Sequence, residues 1–216
     1  MDQTDTEPMD ARPAIRRAAV ALANEGRPVT VESIGVLAEM SPGDVARIYP
    51  SAMAVLADVA GLLIDDHRRA VLAASVIRRR SLTQAVHLGL MAYWAGVEVH
   101  LDEHLAVKSL RSSGPGDLMV ELDGTVGRLY DTTLAGAESW LRQLARTHEV
   151  SWTTPVALLA RLLVATVDGV MLDFAVHRDA AAAHRLLQLF SYQLAQHGER
   201  NNKAGPTPAA DDPADA

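Results

Sequence analysis

Helix-start signals cut this chain into segments that leave little room for a sheet. Thr30, Ser41, Ser51, Ser81, Asp117, Thr154 and Asp179 each stand just ahead of an apolar run. There a side-chain oxygen can accept from the free N–H groups of a first helical turn. Ser81 with Gln84 spells a capping box, and Ser41-Pro42-Gly43-Asp44 places a cap, a first-turn proline and an acid in order. Gly26 suits the stop of a first helix running from about Pro13 to Glu25. The spacing predicts further helices over 30–38, from Ser41, over 51–80, from Ser81 to about Val99, and on to Leu110. Two follow from Asp117 to about Thr147 and from Thr154-Pro155 to near Arg178, and the last runs from Asp179 to about His197. Arg78, Arg79 and Arg80 complement the negative end of the fourth helix, and RSSGPG (111–116) breaks the pattern. No strand and no internal repeat is expected.

Composition agrees with an all-α chain. Apolar residues make up 49% of it but only nine are aromatic, the rest being mostly Ala, Leu and Val, which suits helices packed on helices. Without cysteine there is neither a disulfide frame nor a thiolate zinc site. The acidic start MDQTDTEPMD argues against a signal peptide. The most apolar long stretch, Pro155 to Val176, carries Arg161, Asp168 and Asp173. Each would cost roughly 2.5–3.5 kcal/mol at mid-bilayer, so burial in protein, no membrane partner and a cytoplasmic location are expected. Residues 1–11 and 198–216 are polar or rich in Gly, Pro, Ala and Asp, and are expected to be disordered tails.

Residues 30–57, TVESIGVLAEMSPGDVARIYPSAMAVLA, carry the functional signal. Two short helices a few residues apart, then a long one, are the layout of a helix-turn-helix. Ile34, Leu37, Ala38, Met40, Val45 and Tyr49 would lock the pair together. On spacing alone any tight helical hairpin fits. The residues themselves resemble the TetR (tetracycline-repressor-like) family of transcription regulators, through Thr30, Ile34, Ala38, Ser41, Gly43, Val45, Tyr49, Pro50-Ser51 and Val55-Leu56. Arg12, Ile15, Ala18-Ala19, Leu22 and Gly26 resemble that family's first helix, and the stretch containing Asp168-Gly169 its eighth and ninth.

The resemblance implies a helix-turn-helix DNA-binding domain over 12–50 and a ligand-binding and dimerisation domain over 51–197. It implies a homodimeric regulator, a repressor, released from double-stranded DNA by a small ligand, with no cofactor and no catalysis. Thr30, Ser33, Ser41, Pro42, Gly43, Asp44, Arg47 and Ser51 are the expected DNA-facing residues. Arg47 has the plainer reading of a solvated surface arginine.

Several positions depart from the family pattern. Ala46 and Ile48 stand where it has Tyr and His on the reading helix, Ala52 where it has Lys, Glu39 where it has the turn Gly, and Asp44 where it has Thr. Net charge is −7, and residues 1–60 hold five arginines against nine acids. Neutralised phosphates supply much of protein–DNA affinity. Weak or unusually salt-sensitive DNA binding is therefore expected. The alternative is a ligand-binding or protein-interaction module whose DNA binding has degenerated.

A hydrophobic or aromatic effector is expected among His67, Met91, Tyr93, Trp94, Met119, Tyr130 and Trp140, although such side chains are also ordinary core. The eighth helix is apolar nearly all round, which calls for a second buried face, either inside the chain or against a twofold partner. Leu159, Leu163, Val167, Val170 and Phe174, with Leu187, Phe190 and Leu194 of the ninth helix, are the expected dimer interface. His100-Leu101-Asp102-Glu103-His104 matches one zinc-protease spelling, but no third ligand is indicated. The stretch reads as solvated polar surface, and no metal site is expected.

Overall fold

The computed structural model describes residues 10–75, 81–109 and 118–200. Its helices are α1 (Arg12–Asn24), α2 (Val31–Leu37), α3 (Pro42–Ile48), α4 (Ala52–Ser75), α5 (Leu82–Val99), α6 (Leu101–Ser109), α7 (Leu118–His148), α8 (Val156–His177) and α9 (Ala180–Ala195). The expected caps form at Thr30, Ser41, Ser51, Ser81 and Asp179, whereas α8 opens at Pro155 without a side-chain cap and Thr154 Oγ1 lies 2.9 Å from His197 Nδ1. Thr30 accepts from the Ser33 N–H and Ser33 answers at the Thr30 N–H, and Ser81 and Gln84 make the same exchange. Ser41 caps α3, Asp179 caps α9, and Ser51 accepts from the Ala54 N–H at the head of α4. Gly26 follows α1 at φ +65, the left-handed conformation that a side chain resists. The arginines 78–80, the 111–116 loop and the Asp117 cap lie outside the described residues.

No strand is expected from the sequence, yet Val150–Trp152 (β1) pairs antiparallel with Gly198–Arg200 (β2), Trp152 opposite Gly198. Gly198–Arg200, expected to belong to a disordered tail, therefore form a strand. Two three-residue segments are too short to show a period, and what pairs them is their meeting in space. Thr153 donates its N–H to the His197 carbonyl at 2.8 Å, and a Cβ on Gly198 would sit 2.4 Å from Leu82 Cδ2. This clip ties the end of α9 to the α7–α8 connection.

Three apolar clusters organise the helices. One is built from Ile15, Leu22, Ile34, Val45 and Tyr49, and takes Val55 and Leu56 from the first turns of α4. The largest joins α5, α7, α8 and α9 around Trp94, Trp140, Leu159 and Leu187. The third is small and central, with Val20 of α1, Val59 and Leu63 of α4, and Ala106 of α6. Helix α4 thus belongs to both the head and the body, and α6 touches α1. Among the described residues no single helix is long and apolar enough to cross a membrane.

Candidate functional site

Two places concentrate candidate side chains: the helix-turn-helix head and a cavity in the helical body. In the head, Ile34 and Val45 are wholly buried between α2 and α3, and Tyr49 nearly so, while Pro42, Gly43, Ala46 and Arg47 face outward. The turn is tight. A Cβ on Gly35 would lie 2.8 Å from the Met40 carbonyl, and Glu39 sits at φ +56. Leu37, expected to help lock the pair, is instead 43% exposed, because α2 ends there and the inward positions are Ile34, Ala38 and Met40.

The polar groups of the head are spent on one another. Ser41 donates to Asp44 Oδ2 at 2.7 Å and accepts from the Asp44 N–H at 3.1 Å, and Asp44 is ion-paired with Arg47. The Ser41 hydroxyl first, and Arg47 second, hold the Asp44 carboxyl below the usual range. Thr30 and Ser33 close their own capping box. At the base of the head, Arg16 reaches Asp58 at 3.1 Å, the buried Tyr49 hydroxyl donates to the same carboxylate, and Arg12 lies over the Tyr49 ring at 5.8 Å. Burial, then the Asp58 hydrogen bond, pushes the Tyr49 phenol up to about 12. This knot fastens α1 and the end of α3 to α4.

The cavity, about 550 Å³, lies among α4, α5, α6, α7 and α8. That is within the usual range for small-molecule sites, roughly 300–1,000 Å³. His67, Tyr93, Tyr130 and Trp140 all line it. A Cβ on Gly89 would fall 2.3 Å from Trp140 Cζ2, so this glycine lets the indole lie flat on α5. Met91 packs on the main core and does not reach the cavity. Trp94 is fully buried beside Phe174 at 5.4 Å, with its N–H donated to Glu98, and is a core residue rather than a ligand contact. It follows Tyr93 directly, and adjacent helix positions lie about 100° apart on the wheel. The side chain of Met119 lies outside the described residues.

Among the lining residues not expected at this site are His104, Lys108 and Asp168. His104 is buried rather than solvated, 2.8 Å from His67 between the Nε2 atoms, and Lys108 reaches Asp168 at 2.6 Å. The signals were present as an acid in the middle of the apolar α8 and as His104 and Lys108 four residues apart on one helix face. Burial, reinforced by the neighbouring imidazoles, draws the titration of His67 down to about 4 and that of His104 to about 3. His100 stays at the α5–α6 corner, 3.5 Å from Glu103. Among the described residues no group of three or more histidines and acids converges as a metal site.

The expected dimer residues are already used inside the chain. Leu159, Leu163, Val167, Val170, Leu187, Phe190 and Leu194 are buried in its own core, and Phe174 packs there too. A helix apolar all round does not reveal which stripe turns inward. The exposed stripe holds Leu158, Leu162, Leu172 and Val176 on α8, with Leu186, Leu189 and Tyr192 on α9, at 43–68% exposure.

No family model and no curated protein sequence matches this chain. Solved structures do. A complex of triclosan with SmeT, the repressor of the Stenotrophomonas maltophilia multidrug efflux pump SmeDEF, is similar at TM-score 0.67 and 17% identity, covering 96% of this chain and 100% of that one. Salmonella enterica GusR is similar at TM-score 0.66 and 20% identity, over 88% and 98%. A tetR-family regulatory protein from Rhodococcus RHA1 gives 0.64 and 15%, over 90% and 100%. The chain has the all-α fold of the TetR-family regulators.

Proposed function

We propose that this chain is a homodimeric, DNA-binding transcription regulator, a repressor, released from its operator by a small apolar ligand. The observation that carries the reading is the joint presence of an outward-facing α3 and an internal cavity, both built on α4. The triclosan-bound neighbour supports an aromatic effector for a fold of this kind. The exposed stripe of α8 and α9 supports pairing through that face, since a contiguous apolar surface calls for a cover.

The route from cavity to head is short. His104 faces the cavity, while Ala106, two residues on, packs against Val20 of α1 and Val59 of α4. Asn24 at the end of α1 donates to the Asp102 carbonyl of α6 at 3.0 Å. A ligand that prefers one placement of α6 over another would bias α1 and α4, and so the spacing of two heads in a dimer.

A second reading, a fold-sharing ligand-binding module with degenerate DNA binding, is favoured by one observation: Arg47, the cation on α3, is engaged with Asp44. Titrating the full chain onto DNA from around its own gene, at several salt concentrations and with or without triclosan, separates the two. Sequence-selective binding at moderate salt that weakens with triclosan supports the regulator. Equal, feeble binding to every duplex supports the module.

A further inference from the structure

The polar end of the cavity specifies more than apolar shape, and what it specifies rests on reading the cavity as the effector site. His67 and His104 are held Nε2 to Nε2 at 2.8 Å, so one must donate and the other accept. The His67 ring stacks on Tyr93 at 4.1 Å and 27°. Its far side is closed, because His67 Cε1 lies 2.5 Å from where a Cβ on Gly96 would stand. The imidazole therefore cannot swing away from the cavity without breaking the stack.

The other groups narrow the choice. The Tyr93 hydroxyl lines the cavity and makes no hydrogen bond among the described residues. Burial, then the charge of Asp168, raises its titration, so it remains an O–H able to donate and accept. Lys108 and Asp168 neutralise each other at 2.6 Å. Asp65 and Arg68 of α4 are exposed at the rim. An anionic ligand would have to separate Lys108 from Asp168 and then lie beside the freed carboxylate. A cationic one would have to displace Lys108 while facing imidazoles that burial keeps neutral.

We infer that the cavity recognises an uncharged aromatic alcohol, a phenol-class molecule, through hydrogen bonds between its hydroxyl and the side chains of Tyr93 and His104, the latter held by His67. A hydroxyl both donates and accepts, so it fits either tautomer of the imidazole pair. An ether or ketone only accepts, a carboxylate only accepts and carries charge, and an ammonium only donates. The ring of the alcohol lies against Leu90 and Trp140.

Calorimetric titration of the full chain with 2-naphthol, 2-methoxynaphthalene, 2-naphthoate and 2-naphthylmethylammonium tests this. The naphthol should bind about ten-fold more tightly than the methyl ether, the effect of one net hydrogen bond, and more tightly than either ion. In Tyr93→Phe the preference over the ether should fall to within about three-fold. Should that variant fail to fold, His104→Asn makes the same comparison. Equal binding of naphthol and ether, or tighter binding of an ion, overturns the inference and leaves the effector cavity standing. No binding by any of the four overturns both.

Discussion

The head and the cavity handle polar side chains in opposite ways. In the head, Thr30 with Ser33 and Ser41 with Asp44 and Arg47 satisfy one another within a few residues of chain. In the cavity, partners come from distant sequence: His67 meets His104 and Lys108 meets Asp168. Local exchanges shape helices and leave little spare capacity toward a ligand. Convergent ones bring several helices to one point and leave a hydroxyl such as that of Tyr93 open to an incoming molecule. The head thus carries its polar groups already satisfied on its outer surface, whereas the body keeps some of its own open toward an internal cavity.

The sharpest division inside the body is between core and lining. Trp94→Ala should cost about 3–5 kcal/mol in urea unfolding, as for an aromatic removed from a packed core. Tyr93→Phe, one residue earlier, should cost less than about 1 kcal/mol, since that hydroxyl holds nothing in the protein. Similar losses for the two would erase the distinction between a core face and a cavity face of α5.

Acid probes the cavity against the head. Both buried imidazoles titrate lower in the folded chain than the ordinary 6.5, to about 4 and about 3, so below pH 6.5 the unfolded chain binds more protons. Their contribution is whole above pH 6.5 and is lost as pH falls through the folded values. Each should add a slope of about 1.4 kcal/mol per pH unit within that window. Unfolding curves of the unaltered chain and of His104→Asn from pH 7 to pH 4 measure it, and equal slopes would remove the neutral pair from the account.

Two substitutions test whether the head is self-satisfied. Asp44→Asn removes the carboxylate that holds Arg47, and DNA affinity at low salt should rise about ten-fold, with the salt slope steeper by about one. No change would mean that Arg47 never faces the duplex. Glu39→Gly, at a left-handed position, should raise stability by about 1 kcal/mol, read as a higher urea midpoint. An unchanged midpoint would deny any strain in the turn.

Much of the head is legible in the residues alone, because capping and turn residues act within three or four positions. Thr30, Ser41 and Pro42 therefore mark α2 and α3 closely. The family departure at Glu39 falls on a residue whose φ of +56 shows why that family keeps glycine there. Around the cavity His67, Tyr93, Tyr130 and Trp140 are legible by residue type, whereas the places of Trp94 and His104 are not. Both belong to helices with apolar residues on more than one side, where the pattern leaves the inward direction open.

Among the described residues, what the sequence by itself determined is the order of the helices, most of their caps and the outline of the bihelical head. All of these follow from interactions between near neighbours along the chain. The tertiary structure alone decided which stripe of α8 and α9 is core and which is bare, that β1 meets β2, and that His67 reaches His104. Those outcomes depend on how rotated helices pack across tens of residues, a choice that periodicity leaves degenerate and close packing resolves.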